Sequence, residues 1–481
     1  MEGRGSGSGV LSKKGRIGRL GNLETPIKIR ILQRKLYRKA KSEPGYRFYL
    51  LYDKLYREDI LYHAYHLARA NGGAAGVDGV TFEQIEREEG IGAFLAKLRE
   101  ELKRQEYRPM PVRRVYIPKP NGDGQRPLGI PSIRDRTVQT AANLILLPIF
   151  EADLTDNAYA YRPRKSAHDA IRRVHALLKD GYTDVVDGDL SKYFDEIPHA
   201  ELMKSVSRRI SDAKALTLIK LWLKAPIEER DENGNRRLTG GKGSQKGTPQ
   251  GGVVSPLLAN IYMRRFLLAW ERKQFPAKLE AQVVNYADDF VILCRGTAQK
   301  ARSAAEQIIA GMKLRMNQQK TQVIDAKRQP FDFLGYTFGP CYAARSSAVY
   351  LGAKPSIRRI KRLYGKIREQ LNRGNNDPTR DVVAAVNRML VGWSQYFSYG
   401  TLTKAYRTVD YLTRNRLRWW LCRRHKAKGR GTRQFPHSEL YSSYGLVCLS
   451  TLLVAMRLNA RGESSPRAGC EEIRTSSSMS G

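Results

Sequence analysis

The sequence predicts an α+β protein, and three observations carry that prediction. Short β-rich runs broken by turn residues alternate with amphipathic helical stretches through roughly the first 350 residues. After about Tyr350 the pattern becomes helical and strongly basic. The third observation is the stretch Val283–Val291, VVNYADDFV, in which apolar residues flank the adjacent acids Asp288 and Asp289. Two β-rich runs meeting at an Asp pair form a hairpin with carboxylates at its tip. Side-by-side carboxylates repel unless they share a cation, and a hard divalent cation takes carboxylate oxygens while keeping positions open for phosphate.

Composition narrows the class of partner. The 481 residues include 85 Lys+Arg against 47 Asp+Glu, a net charge of +38, with 41% hydrophobic and 27% charged residues. This is a globular chain whose charge excess points to a polyanion, not a small neutral metabolite. Nucleic acid is favoured over an anionic membrane. The basic residues spread along the whole chain, and no apolar run approaches the ~20 residues that span a bilayer. The cysteines (Cys294, Cys341, Cys422, Cys448 and Cys470) form no CxxC pair, so neither a disulfide framework nor a zinc finger is indicated. A reducing, cytoplasmic setting fits, and the start MEGRGSGSGVLSKKGR lacks the apolar core of a signal peptide.

In chain order, Ile27–Lys41 has Ile29, Leu32, Leu36 and Ala40 near helical spacing, with Lys28, Arg30, Arg34, Lys35 and Arg38 on the other positions. This basic amphipathic helix offers a charged face to phosphate. A helix is expected over Tyr46–Ala70, ending at Asn71-Gly72-Gly73, and another over about Ile91–Gln105. Val112–Pro131 reads as two strands, Arg113–Pro118 and Arg126–Ile130, around an Asn-Gly-Asp-Gly turn. Lys119 and Arg126 near that turn can close over a triphosphate, Lys as a point charge and Arg as a fork. A helix is expected over Ile133–Glu151, with a further helix capped by Ser166.

Asp184–Pro198, DVVDGDLSKYFDEIP, reads as a buried strand running into Asp189, followed by a helical turn. Asp187 and Asp189 share one strand face. One acid on a strand end and an acid pair on a hairpin tip are what two-metal nucleotidyl transfer needs. In GTPQGGVVSPLLANIYM (247–263), a Gly-rich loop meets a helix with Ser255 expected at the N-cap and Pro256 at N1. Gln250 there is placed to contact a base or sugar. FDFLGYTF (331–338) reads as a short hairpin. Between Lys404 and Arg433 stand eleven Lys/Arg and one acid, Asp410, interleaved with Tyr406, Tyr411, Trp419 and Trp420. Aromatics among cations suit stacking and phosphate contact on RNA. Trp393, Phe397 and Trp419 read better as core of a helical bundle.

Assembled in order, IPKPNGDGQRPLGIPSIRDRTVQ, AYRPRKSAHDAI, DGDLSKYFDEIPH, GTPQGGVVSPLLANIYM, YADD and FDFLGYTF make the chain resemble a group II intron reverse transcriptase–maturase from about Leu55 to Leu446. The resemblance implies a right-hand polymerase, fingers and palm with an antiparallel palm sheet, followed by an all-α thumb/maturase domain. The expected division is a basic N-terminal extension (1–54), fingers and palm (55–345), thumb/maturase (346–446) and a Ser-rich, partly disordered tail (447–481). It implies that Asp189, Asp288 and Asp289 hold two Mg²⁺ ions, with Mn²⁺ as a substitute, and that Lys119 and Arg126 hold the incoming triphosphate. The resemblance further implies that Phe194 is the ring that excludes a 2′-hydroxyl, that Gln250 lines the nucleotide pocket, and that Lys320 protonates the leaving pyrophosphate. Intron RNA is expected on Lys28, Arg30, Arg34, Lys35, Arg38, Arg414, Arg416, Arg418, Arg423, Arg424 and Lys426.

The implied partners are the group II intron RNA, an RNA template with DNA primer, dNTPs and target DNA, in a bacterial cytoplasm and at the nucleoid. Dimerisation is left open. Two departures stand out. The family's Gly-Phe-Arg-Pro-Gly loop is here Ala160-Tyr161-Arg162-Pro163-Arg164, without either glycine. No Cys-rich His-Asn-His endonuclease is read in the chain, so no DNA nicking is expected. The alternative readings are a splicing-only RNA-binding maturase and a relative serving CRISPR adaptation or phage defence. If about 6–10 phosphates are neutralised, RNA affinity measured by filter binding falls by roughly 10³–10⁵ between 50 and 200 mM salt. A nearly flat response would instead mean that shape and stacking dominate.

Overall fold

The computed structural model describes residues 23–118, 124–230, 235–249, 251–343, 346–427 and 429–461. The chain divides at Ile324/Asp325 into two compact units.

The first unit is built on the helix Ile133–Glu151, buried on most of its surface. Ser132 caps it by accepting from the Asp135 amide, and the helices Ile27–Ser42 and Glu58–Asn71 pack on it. Pro148 lies inside this helix, where it cannot donate to the carbonyl of Leu144. Gln33 of the N-terminal helix supplies the missing donor, its Nε2 lying 3.0 Å from the Leu144 oxygen. Ile29, Leu36 and Ala40 of that helix are buried, while Lys28, Arg30, Arg34, Lys35 and Arg38 are exposed. The helix expected over Tyr46–Ala70 is shorter: Tyr52–Leu55 and Glu58–Asn71 are helical, and residues 46–51 are not. Phe48 exchanges backbone bonds with Arg209 and Ser211. The Asp212 carboxylate takes the amides of Leu51 and Tyr52, which diverts this segment from a helix.

Two sheets follow. β1 (Val112–Pro118) and β2 (Gln125–Ile130) form the expected hairpin, with Ile117 opposite Arg126. β3 (Asp184–Asp189) belongs to the other sheet. β4 (Pro226–Arg230) and β5 (Arg236–Gly240) extend the first in the order β2-β1-β4-β5, β4 lying parallel to β1. Their charged sequence carries no clean alternation, and no strand was expected there. β6 (Ala281–Tyr286), β7 (Asp289–Cys294) and β8 (Gln322–Asp325) complete the second sheet, ordered β6-β7-β3-β8. β7 runs antiparallel to both β3 and β6. The helix Ala298–Gly311 packs on β3 and β7, and Ala167–Lys179 on β6.

The second unit opens with β9 (Phe331–Phe333), β10 (Tyr336–Tyr342) and β11 (Val349–Pro355). The border expected at 345/346 falls inside this sheet, between β10 and β11. Helical structure starts at Ile357, later than the expected Tyr350, because 349–355 pairs with β10. The β9–β10 turn uses Leu334 and Gly335, both at positive φ (50° and 82°), as a two-residue hairpin turn demands. Helices Ile357–Gln370, Thr379–Tyr396 and Thr403–Arg424 share an apolar core that includes Leu363, Val386, Tyr406 and Leu417. Part of the expected Ser-rich tail is helical: Leu449–Arg461 is a helix whose Leu449 and Leu453 are buried. Asp410 accepts from the Leu449 and Ser450 amides and fixes its start. No helix among the described residues is long and apolar enough to cross a membrane.

The Gln33–Leu144 bond gives a double-mutant prediction. Gln33→Leu leaves a buried carbonyl without a donor and costs about 1–3 kcal/mol in urea unfolding. The cost shrinks in a Pro148→Ala background, where residue 148 regains its N–H. An equal cost in both backgrounds means that Gln33 acts by some other contact.

Candidate active site

The three acids are brought together by strand register. Asp189 closes β3 directly opposite Asp289, the first residue of β7, and Tyr286 faces Asp289 from β6. The β6–β7 loop is therefore only Ala287 and Asp288. Ala287 has φ 59°, a left-handed conformation that costs a non-glycine residue about 1–2 kcal/mol. The buried Asn285 side chain holds this turn, its Nδ2 donating to the Ala287 oxygen at 2.9 Å. Asn285 also exchanges backbone bonds with Asn157 and Tyr159. Between the acids of β3, Gly188 lies opposite Phe290. A Cβ on Gly188 would sit 2.4 Å from that ring, so only glycine lets the two strands close here. Neither Asn285 nor Gly188 was singled out from the sequence; N-Y-A-D-D and D-G-D contained both.

The electrostatics follow from this crowding. Burial raises the Asp288 pKa, and Asp189 pushes it further, while Arg126 and Lys320 pull it back. Asp289 keeps open surface, yet the surrounding protein, with Asp288 and Asp189, pushes it up to about 6. Lys320 Nζ is 3.3 Å from Asp189 Oδ2 and 67% exposed. The loop carrying it is tied to the site by Asn317 N donating to the Asp189 oxygen at 2.8 Å. The two cations do not cancel the carboxylate cluster, so the site fits added positive charge. No group of three or more His, Cys, Asp or Glu among the described residues converges as a ready metal cage. Mg²⁺ needs only one or two carboxylates, with water and substrate phosphate supplying the rest.

Other expected residues are distributed around this centre. Arg126 on β2 is close enough to affect the titration of Asp288. Phe194 is half-buried on the helical turn Tyr193–Glu196, and its carbonyl accepts from the Thr248 amide at 2.7 Å. Lys119 and Gln250 lie outside the described residues. Beside Gln250, Gly251 has φ 103°, and a Cβ there would stand 2.3 Å from the Gly129 oxygen, so the Gly-rich loop lies directly on β2. Ser255 is not the N-cap expected. Val254 takes that place, and Ser255 Oγ donates to the Pro249 carbonyl at 2.8 Å, bracing the loop.

The altered loop takes left-handed backbone at two non-glycine residues. Arg164 holds φ 62° and Tyr161 φ 55°. Arg162 is buried, donating to Glu151, Thr155 and Ala158. Tyr161 is 50% exposed; burial raises its hydroxyl pKa, with Asp288 and Tyr286 adding to the rise. It is therefore a neighbour of the acids that sequence matching did not assign to the site.

In the second unit, Arg418 departs from its expected RNA-facing role. It is 6% exposed and donates through Nε to the Phe435 oxygen, because its helix turns this position into the core. Arg423, Arg424 and Lys426 are exposed, and Arg414 and Arg416 are half-buried. Phe397, Tyr406 and Trp420 are buried. Trp419, expected as core, is half-buried, with the guanidinium groups of Arg416 and Arg423 3.9 and 4.5 Å from its ring centre.

Residues 117–338 match the reverse transcriptase (RNA-dependent DNA polymerase) family, and residues 360–435 match the group II intron, maturase-specific domain. The chain belongs to the group II intron-encoded reverse transcriptase–maturases. It is 36% identical to Protein YkfC of Escherichia coli (strain K12), over 63% of this chain and 87% of that protein. It is 31% identical to the group II intron-encoded protein LtrA of Lactococcus lactis subsp. cremoris, over 60% of this chain and 56% of LtrA. A putative COX1/OXI3 intron 1 protein of Saccharomyces cerevisiae is 27% identical over 68% of this chain and 43% of its own length. The chain thus spans about half the length of the last two. Reverse transcriptases of this family generally use divalent metal ions, and Asp189, Asp288 and Asp289 offer the hard oxygen donors that such ions take.

The raised pKa of Asp289 has a stability consequence with a definite sign. Its folded value, about 6, lies above the unfolded carboxylate value of about 3.9. The native state therefore loses stability as pH rises from about 4 to 6. Asp289→Asn should raise the melting temperature in chelator-treated buffer at pH 7–8, and the gain should fade on going down to pH 4. Added Mg²⁺ should stabilise wild type more than the variant. A pH-independent difference between the two proteins would contradict the crowding argument.

Proposed function

We propose that the chain is an RNA-directed DNA polymerase that extends a primer on an RNA template with dNTPs and also binds its host intron RNA to promote splicing and mobility. The observation that carries the polymerase reading is the in-register Asp189–Asp289 pair beside Asp288, at the end of a sheet to which Arg126 comes near. Two divalent ions, Mg²⁺ by the donor chemistry, would be held by Asp189, Asp288 and Asp289, to activate a primer 3′-hydroxyl and neutralise the leaving pyrophosphate.

The chain's own groups then have distinct tasks. Arg126, with Lys119, holds the triphosphate against the acids. Phe194 fills the space that a ribonucleotide's 2′-hydroxyl would need, selecting dNTPs by exclusion. Gln250 is assigned a contact with the incoming nucleotide on the sequence match alone. Lys320, already beside Asp189, is placed to deliver a proton to the departing pyrophosphate. Binding of intron RNA uses the exposed face Lys28, Arg30, Arg34, Lys35 and Arg38, together with Arg414, Arg416, Arg423, Arg424 and Lys426. A splicing-only maturase would use these basic faces and not the acids.

Primer extension on an RNA template with Mg²⁺ tests the reading. Wild type should incorporate dNTPs and reject rNTPs, Asp288→Ala should lose extension, and Phe194→Ala should admit rNTPs. Splicing of the flanking intron should survive Asp288→Ala. Failure of a well-folded wild type to extend any primer would leave RNA binding as its task. Loss of splicing in folded Asp288→Ala would show that the two roles are not separable.

A further inference from the structure

An open groove of about 600 Å³ lies in the second unit, between the end of helix Ile357–Gln370 and helix Thr403–Arg424. Arg368, Arg373, Arg416 and Trp419 line it, with Glu369 the acid on its wall. Arg423 reaches the same tryptophan ring. Arg368, Arg373 and Arg423 are exposed and make no ion pair among the described residues. Arg416 is held in place by donating to the Leu371 oxygen at 2.7 Å, while its buried Nε has no hydrogen-bond partner. Burial lowers the Arg416 pKa, and the charges of Arg368, Arg423 and Arg373 lower it further against a partial offset from Tyr364. The loop carrying Arg373 is fixed by Asn372, which donates to the Glu369 oxygen at 2.6 Å and accepts from the Gly374 amide at 2.7 Å.

Four guanidiniums against the single carboxylate of Glu369 leave an excess of positive charge around a concave space, which an entering anion offsets. The aromatic ring narrows the anion's nature. The Trp419 ring carries the guanidinium of Arg416 3.9 Å from its centre and that of the exposed Arg423 4.5 Å from it; a base that takes the place of Arg423 on the ring would stack on Trp419 and Arg416. A base needs such a plane, and its phosphates need the surrounding guanidiniums. A duplex keeps its bases stacked and offers only its outer phosphates, so a recess with an aromatic floor suits an unpaired nucleotide. The size agrees with that of small-ligand clefts.

The geometry points to this groove as a site for a single unpaired RNA nucleotide, its base stacked on Trp419 and Arg416 and its phosphates held by Arg368, Arg373 and Arg423. The inference rests on the RNA-binding half of the proposed function and is separate from the carboxylate site.

The test uses the full chain and a 20-nucleotide single-stranded RNA bearing 4-thiouridine, alongside the same sequence as a duplex with complementary DNA. Ultraviolet crosslinking followed by peptide mapping should place single-strand adducts within 365–373 or 416–423, and duplex adducts elsewhere. In binding titrations, the double variant Arg368→Gln/Arg373→Gln should weaken single-strand affinity and reduce the salt slope by about 1.4, two contacts at the single-strand value. Trp419→Leu should weaken it roughly five-fold or more, and Trp419→Phe less. Circular dichroism melting checks that each variant is folded; if the tryptophan variants are not, the crosslink map of wild type still decides. Single-strand adducts confined to other segments, adducts here only with duplex, or unchanged affinity in the folded double variant would each overturn the inference. A wild type that extends primers yet binds no single-stranded RNA would overturn it too and leave the polymerase reading standing. A wild type that binds at this groove but extends no primer would do the reverse.

Discussion

Repulsion between carboxylates held within reach of one another is the constraint around which the first unit is built. Asp189 and Asp289 are set opposite each other by pairing β3 with β7, and Asp288 is added by a turn too short to let it escape. Each supporting feature opposes that repulsion. Phe290 lies over Gly188 and locks the register, and Asn285 clamps a turn whose Ala287 is strained. Lys320 and Arg126 offset part of the negative charge. A cluster that is costly alone becomes favourable when cations and phosphate arrive, which is the arrangement that transition-state stabilisation by preorganised charge requires.

The basic excess divides into two populations. Some guanidiniums are structural, their N–H groups spent on backbone carbonyls that no helix or strand satisfies. Arg209, fully buried, ties Ala40, Glu43, Pro44 and Tyr46 to its own segment. Arg162 and Arg418 do the same elsewhere, and Arg136 holds Pro131 and the loop at Gly72 and Ala74. Five donors in a planar fork suit Arg to this work where Lys could not replace it. The remaining cations, on the exposed face of Ile27–Ser42 and around Trp419, have few internal partners. Net charge therefore overstates the basic surface that is open to a partner.

Most of the carboxylate site was legible because strand period and turn length are local properties. VVNYADDFV could form little besides a tight hairpin, and DVVDGD little besides a strand ending in acid. What was not legible depended on distant partners. The residues 46–51 look helical until Phe48 pairs with Arg209 and Ser211 and Asp212 takes the amides of Leu51 and Tyr52. Ser255 looks like a cap until Pro249 folds back to accept its hydroxyl. Arg418 looks like its neighbours Arg416 and Arg423 until the helix is rotated against its core. In the Ala160–Arg164 loop, which lacks the family's glycines, Arg164 itself takes the left-handed conformation.

By itself, the sequence determined the α+β class, the basic excess, the acids and the order of the motifs, because composition, periodicity and spacing are written along the chain. Tertiary structure alone decided that Asp189 faces Asp289, that Tyr161 neighbours the acids and that Trp419 lies between two arginines at an open groove. Those facts are set by strand register and helix rotation. Both arise from packing between segments far apart in the chain, where a shift of one residue moves a side chain from solvent to core.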